Sequence, residues 1–206
     1  MEARRPPRLI AVSRRADHPG GRWESWLSAM AQAGLPAIWI REKELDDREL
    51  FEIVEAARRR LPAATRVLVS GRPDVARAAG ADGVHLASTG LPTAAVAARF
   101  GDRLLIGRST HTLEEVATAA RDGADYVTFG PVWATPGKGP ATGVDRLRRA
   151  VAHGISVVAL GGVTTARLRE AAAAGAHGAA ALRLFADPSR AAAAVAETAR
   201  LFGSRQ

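Results

Sequence analysis

Three alanine-rich runs of this chain end in nearly the same phrase: Ala79-Gly-Ala-Asp-Gly-Val84, Asp122-Gly-Ala-Asp-Tyr-Val127 and Ala174-Gly-Ala-His-Gly-Ala179. Each fits a helix that stops on a glycine just past its end and turns at once into a buried strand. A helix-to-strand joint repeated in this way implies a chain built of βα units. Short β-type runs alternate with helical runs throughout. Strands are predicted near Leu9–Ser13, Ala37–Arg41, Arg66–Ser70, Gly83–Leu86, Leu104–Gly107, Tyr126–Phe129, Ser156–Leu160 and Gly178–Leu182. Helices are predicted near Trp23–Ala33, Asp46–Leu61, Pro73–Ala79, Thr93–Phe100, Leu113–Asp122, Val144–Ala152, Thr164–Ala174 and Pro188–Phe202. Leu45-Asp-Asp-Arg-Glu49 and Thr112-Leu-Glu-Glu115 have the form of helix starts, the latter a capping box. Eight strands, each followed by a helix, predict an α/β protein with one domain over residues 1–206, a compact (β/α)8 TIM barrel. A doubly wound open sheet is the alternative, but regular units without a Gly-x-Gly-x-x-Gly turn favour closure. In a closed barrel the chemistry belongs at the carboxyl ends of the strands, with phosphate commonly held after strands seven and eight.

Composition narrows the function classes. The net charge of +8 and pI near 11.3 come from 27 arginines and two lysines. The arginines are spread over every segment, densest at Arg58-Arg-Arg60 and from Arg146 to Arg149 on predicted helix faces. Aromatics do not interleave with them, so there is no stacking platform and nucleic-acid binding is not expected. The positive field favours small anionic substrates. Cysteine is absent, which excludes a disulfide scaffold and thiolate chemistry and fits a reducing compartment. No apolar run approaches a membrane span, and Met1 to Arg8 has no apolar signal-peptide core behind it, so a cytoplasmic location is expected without a membrane partner.

The predicted strand ends carry the candidate chemistry. Lys138 lies in the glycine-rich loop Gly130–Gly143 after strand six, and Gly161-Gly162 ends strand seven just before a helix. A compact ammonium on a flexible stem beside backbone N–H groups suits a phosphate. The other lysine, Lys43, follows strand two in Arg41-Glu42-Lys43, at the same rim. After strand five come Arg108, Ser109 and His111. The fork of Arg108 can bond both oxygens of a carboxylate. His111 is the histidine best placed for acid–base work, whereas His85 alternates with Val84 and Leu86 and points either into the barrel or under a helix. Arg183 follows strand eight. His153 and His177 read as structural, and the five histidines show no metal-ligand spacing.

These residues resemble the thiamine phosphate synthase/TenI superfamily. The carriers are Ile40-Arg-Glu-Lys43, Ala79–Leu86, Ile106–Glu115, Gly123–Val132, Thr135-Pro-Gly-Lys138 and Ala159–Thr164, in order along nearly the whole chain. The resemblance implies a TIM barrel, a phosphorylated thiazole as ligand and a role in thiamine biosynthesis. By the same resemblance, Thr135 and Lys138 contact the thiazole phosphate, Gly162 and the backbone around Leu182 and Arg183 bind it, and Arg41 and Lys43 lie on the rim used for a pyrimidine pyrophosphate. Two departures concern magnesium. The synthase pattern Asn-Asp-Arg is Ser70-Gly71-Arg72 here, and Gly-Gln-x-Asp is Ala87-Ser88-Thr89-Gly90. Both magnesium-holding aspartates of that pattern are thus replaced, and Trp39 stands where the pattern has glutamine. TenI-type proteins, which include thiazole tautomerases, share the glycine at Gly71 and the Gly107-Arg108-Ser109 run. Their acid–base histidine falls at Pro131, leaving His111, His85 or Glu42 as substitutes. The expectation is a TenI-like thiazole tautomerase that isomerises a thiazole carboxylate phosphate without a metal or other cofactor. The alternatives are a divergent synthase, which would use magnesium, and a catalytically silent thiazole-phosphate-binding or regulatory protein. The sequence leaves homo-oligomerisation open.

Overall fold

At each of the three repeated joints the glycine takes up left-handed backbone: Gly80 at φ 70°, Gly123 at 86° and Gly175 at 86°. Only glycine adopts this conformation without cost, so the helix ends there and the chain reverses into the next strand. In two joints the aspartate then bonds the preceding strand of the sheet. Asp82 accepts from the Val67 N–H at 2.7 Å, and Asp125 accepts from the Ile106 N–H at 2.7 Å. The backbone N–H groups of Asp82 and Asp125 donate in return to Val67 and Ile106, each at 2.8 Å.

The structure is a computed structural model. It describes residues 5–203 apart from Pro19 and Gly21, so the reading of the chain's start rests on residues that lie in part outside the described ones. Eight βα units follow in order. They are β1 Leu9–Val12, α1 Arg22–Gln32, β2 Ala37–Ile40, α2 Asp47–Arg60, β3 Arg66–Ser70, α3 Pro73–Ala78, β4 Gly83–Leu86, α4 Thr93–Phe100, β5 Leu105–Thr110, α5 Leu113–Arg121, β6 Tyr126–Phe129, α6 Val144–Val151, β7 Ser156–Leu160, α7 Thr165–Ala173, β8 Gly178–Ala181 and α8 Ala191–Phe202. All neighbouring strands pair in parallel, and β8 closes on β1 to complete an eight-stranded barrel. Asp46 and Thr112 close both expected capping boxes, with Glu49 and Glu115. Most boundaries fall within one residue of expectation, and two differ by three. β5 continues to Thr110 because Arg108 to Thr110 pair with Val127 to Phe129 of β6. The last helix begins at Ala191, since Pro188–Arg190 form a 3-10 turn under the Asp187 cap.

Alternation along the strands creates two apolar layers. Ile10, Trp39, Leu68, Leu105, Tyr126 and Val158 fill the barrel, while Ile38, Val69, Val84, Ile106, Val127 and Val157 belong to the layer beneath the helices. Among the described residues no helix is long and apolar enough to cross a membrane. Gly107 is required inside the barrel. A Cβ there would lie 2.3 Å from Tyr126 Cζ and 2.4 Å from His85 Nδ1. Gly107→Ala is therefore expected to cost about 1–3 kcal/mol through overpacking. Gly139→Ala, where a Cβ meets nothing within 4 Å, serves as its control in a urea titration. Equal midpoints for the two variants would refute the steric assignment.

Candidate active site at the carboxyl end of the barrel

Inward-facing residues of the upper barrel form a polar floor beneath the mouth. His85, on β4, is fully buried and faces the interior, resolving the choice that the sequence left open. Its Nδ1 lies 2.9 Å from the Tyr126 hydroxyl, and its Nε2 lies 3.0 Å from Ser109 Oγ and 3.3 Å from Thr128 Oγ1. Its ring packs 4.0 Å from the Trp39 indole, whose N–H donates to Ser70 Oγ at 2.7 Å. Burial, aided by the positive charges of Arg108 and Arg41, pushes the His85 imidazole down to about 3. Burial raises the Tyr126 phenol well above its usual value, with Asp125 adding to the effect. Both groups are therefore neutral in the physiological range and are joined as hydrogen-bonding partners. Tyr126 and Thr128 were missed in the sequence. Their signal was the strand alternation that places them on the same side as His85.

The phosphate candidates converge on one side of the mouth. Thr135 Oγ1 bonds the Trp133 carbonyl at 2.8 Å and stands 3.2 Å from where a Gly161 Cβ would be. Gly161 and Gly162 have φ of 89° and 67°, and a Cβ on Gly162 would lie 2.8 Å from the Ala134 carbonyl. Only a bare backbone lets the β6–α6 loop lie this close to the end of β7. Val132 and Trp133 donate their N–H groups to Leu160 and Gly161 at 2.9 and 3.2 Å, and Arg183 reaches Pro136 at 3.0 Å. Leu182 packs against the interior cluster beside them. Lys138 is exposed, and with Thr135, Pro136 and Gly139 it lines an open cleft of about 410 Å³.

Arg41 and Lys43 follow β2, diametrically across the closed barrel from β6. Arg41 is half-buried and close enough to act on His85, whereas Lys43 is exposed. Glu42, buried between them, turns to the β1–α1 loop. It accepts from Ser13 Oγ and, at 3.0 Å, from the Arg15 N–H. Burial raises its carboxyl above the ordinary value, although those hydrogen bonds pull the other way. In this arrangement Glu42 ties the β1–α1 loop to the end of β2. His111 stays at the rim between β5 and β6, its Nδ1 bonded to the Gly130 carbonyl. That bond makes Nδ1 the protonated nitrogen of the neutral ring and leaves Nε2 as the lone-pair nitrogen.

Arg108 departs most from the sequence expectation. Ser109 points inward, so Arg108 points outward. Its Nη1 donates to Leu91 O at 2.7 Å and its Nη2 to Ser88 O at 2.9 Å. The guanidinium fork clamps the β4–α4 loop, so both of its terminal nitrogens are engaged by backbone carbonyls.

The same corner decides whether magnesium fits. Ser70 Oγ is engaged by Trp39, Arg72 pairs with Asp47 and Asp74, and the Ser88 carbonyl is held by Arg108. Magnesium takes carboxylate and phosphate oxygens in a tight octahedron. The ends of β3 and β4 offer hydroxyls, carbonyls and a fixed guanidinium, and do not fit it. Among the described residues no three His, Cys, Asp or Glu side chains gather into a metal-binding group.

A closed (β/α)8 barrel with cationic residues after β2 and β6 places the chain among the TIM barrels. The thiamine monophosphate synthase model matches residues 9–185, and the chain belongs to that family, the TMP-TENI family. It is 37% identical over 197 residues to the thiamine-phosphate synthase of Thermobifida fusca, covering 93% of this chain and 89% of that one. It is 41% identical over 170 residues to the thiamine-phosphate synthase of Anaeromyxobacter dehalogenans, covering 78% and 75%. Thiamine phosphate pyrophosphorylase from Pyrococcus furiosus superposes with a TM-score of 0.85 at 28% identity, covering 95% of this chain and 97% of that one. The expected superfamily is thus borne out. The relatives carry synthase names, so they support the synthase alternative and lend none to the expected tautomerase.

The low His85 value has a measurable consequence. Its folded value of about 3 lies below the ordinary imidazole value of 6.5, so between these limits the unfolded chain binds a proton that the folded one excludes. This contribution to stability is complete above the upper limit and is lost as pH falls toward the lower one. Imidazole NMR should show His85 still neutral at about pH 5, where a free imidazole is charged. A normal titration near neutrality would refute the buried, neutral assignment.

Proposed function

We propose that this chain is a thiamine phosphate synthase-type transferase, joining a hydroxymethylpyrimidine pyrophosphate to a thiazole phosphate with release of pyrophosphate. The reading is supported by one arrangement: cationic residues follow β2 and β6, strands on opposite sides of a barrel whose relatives are named for this reaction. Thr135, Lys138, the Gly161-Gly162 turn and Arg183 would hold the thiazole phosphate. Arg41 and Lys43 would take the pyrophosphate, and their positive charge would stabilise the anion as it leaves. The neutral floor of Ser109, His85 and Thr128 would orient the ring between them without moving a proton. Bringing two anionic substrates together in one site is itself a large part of such a catalysis. No step is routed through magnesium, because the ends of β3 and β4 do not fit it.

That misfit favours a second reading, isomerisation of a carboxylated thiazole phosphate by proton transfer through His111 Nε2. One assay separates the two. The protein is incubated with the pyrimidine pyrophosphate and thiazole phosphate, with and without magnesium, and thiamine phosphate and pyrophosphate are measured. In parallel it is given the unaromatised carboxylated thiazole phosphate, and the aromatic isomer is measured. Coupled products support the transferase. Isomer without coupled product replaces it with the tautomerase, and neither product leaves a binding protein.

Lys138→Ala should weaken thiazole phosphate by about 1.5–3 kcal/mol, the range for a charged hydrogen bond. Unphosphorylated thiazole should bind wild type and variant alike in calorimetry. Equal losses for both ligands would show that Lys138 only orders its loop.

A further inference from the structure

The loop from Pro131 to Gly143 is closed at its neck and open at its tip. At the neck the Thr142 N–H and hydroxyl both donate to Pro131 O, at 2.7 and 3.0 Å, and the Gly143 N–H donates to Val132 O at 3.0 Å. At the tip a Cβ on Gly137 or Gly139 would meet nothing within 4 Å, and Lys138 between them is exposed. A tip so open takes its position from the neck.

Trp133 is the neck residue that reaches out of the loop, and it does so toward α7. Its side chain is buried, its indole N–H donates to Glu170 Oε2 at 3.0 Å, and the Arg167 guanidinium lies 5.7 Å from its ring centroid. Its carbonyl accepts from Thr135 Oγ1 at 2.8 Å, so the same residue fixes a side chain read as a phosphate contact. Arg167 and Glu170 stand three apart on α7 and share one face of it.

Arg167 also acts on the turn at the end of β7. Its Nη1 donates to Gly162 O at 2.6 Å, while Gly161 O accepts from the Trp133 N–H at 3.2 Å. Both peptide units are trans, and a trans unit carries its C=O and N–H on opposite sides. Pinning these two carbonyls toward Arg167 and Trp133 therefore turns the N–H groups of Gly162 and Val163 the other way. Successive N–H groups presented from a turn in this manner make an anion-binding concavity.

We propose that Glu170 and Arg167 are positioning residues of the phosphate site. They act through Trp133 and the Gly162 carbonyl, holding the loop neck and the Gly161-Gly162 turn in the geometry that meets the anion. The role rests on the reading of the β6–β8 ends as a phosphate site. An anchored neck lowers the cost of ordering the tip when a phosphate arrives, and so favours the phosphorylated ligand over the bare ring.

Glu170 separates this role from simple electrostatics, because the two predict opposite signs. Glu170→Ala removes a negative charge from the start of α7, which by charge alone would tighten thiazole phosphate. Loss of the anchor should instead weaken it roughly tenfold, the lower end of the range for a hydrogen bond to a charged group. Glu170→Gln loses the charge but keeps an oxygen for the indole N–H, and should bind like wild type. Trp133→Phe keeps a ring and drops the donor, so its loss should match that of Glu170→Ala and not add to it. Arg167→Met should also weaken thiazole phosphate, and Arg167→Lys, which keeps a donor for Gly162 O, should recover most of that loss. Calorimetry with thiazole phosphate and with unphosphorylated thiazole reads each effect, and the unphosphorylated ring should bind all variants alike. Unchanged or tighter binding of thiazole phosphate to Glu170→Ala overturns the positioning role alone, as do equal losses for both ligands. A wild type that binds the two ligands equally overturns the phosphate reading itself, and the role with it.

Discussion

Closing eight strands into a barrel turns the two faces of each strand into two different environments. On an open surface, neighbouring residues differ only by direction. Here one points into a closed interior and the next into the layer beneath the helices. Every feature of the mouth follows from this division. His85 is neutral because its parity places it inside, away from water. Ser109 can reach it because β5 presents odd positions inward at that level, and Gly107 beneath must be bare for the His85 and Tyr126 rings to meet. The same parity sends Arg108 outward to the carbonyls of Ser88 and Leu91.

That parity also explains how far the sequence could be read. The repeated joints, the capping boxes and the alternation of helices with strands are local signals, and each had its physical counterpart in the fold. The glycine turn Gly161-Gly162 at the end of β7 was legible for the same reason, because its left-handed backbone is a local property. The end of β5 was not legible, because Arg108 to Thr110 are strand only through pairing with Val127 to Phe129, about twenty residues away in sequence. A strand placed three residues short made Arg108 look like a loop residue free to meet substrate. The partners of Glu42 were not legible for a similar reason, because Ser13 and Arg15 come from a different loop.

Neighbouring sites in one barrel can be matched to a family to very different degrees. The β6, β7 and β8 ends bring together the residues that the resemblance assigned to a thiazole phosphate, through backbone contacts that only glycine permits. The β3 and β4 ends keep the fold but not the chemistry. Ser70 is tied to Trp39, and Arg108 occupies the carbonyls of the next loop, so hydrogen bonds inside the protein fill the corner where the synthase pattern has carboxylates. The chain is 37–41% identical to relatives named for the synthase, and it keeps the glycine-rich β6–β8 ends of the resemblance while the β3 and β4 ends depart from it.

Charge explains why the exchange is tolerated. A carboxylate pair that holds magnesium is costly without its ion, because two like charges face each other at a partly desolvated rim. Replacing them with glycine removes the repulsion, and a guanidinium held by two carbonyls then adds a fixed positive charge that needs no metal to recruit it. Arg41 and Arg108 both act on His85, so the field over the floor of the barrel is positive even in the absence of any ligand. These cations are covalently part of the protein, and beneath them the floor offers only the neutral hydroxyls of Ser109 and Thr128 and the His85 imidazole.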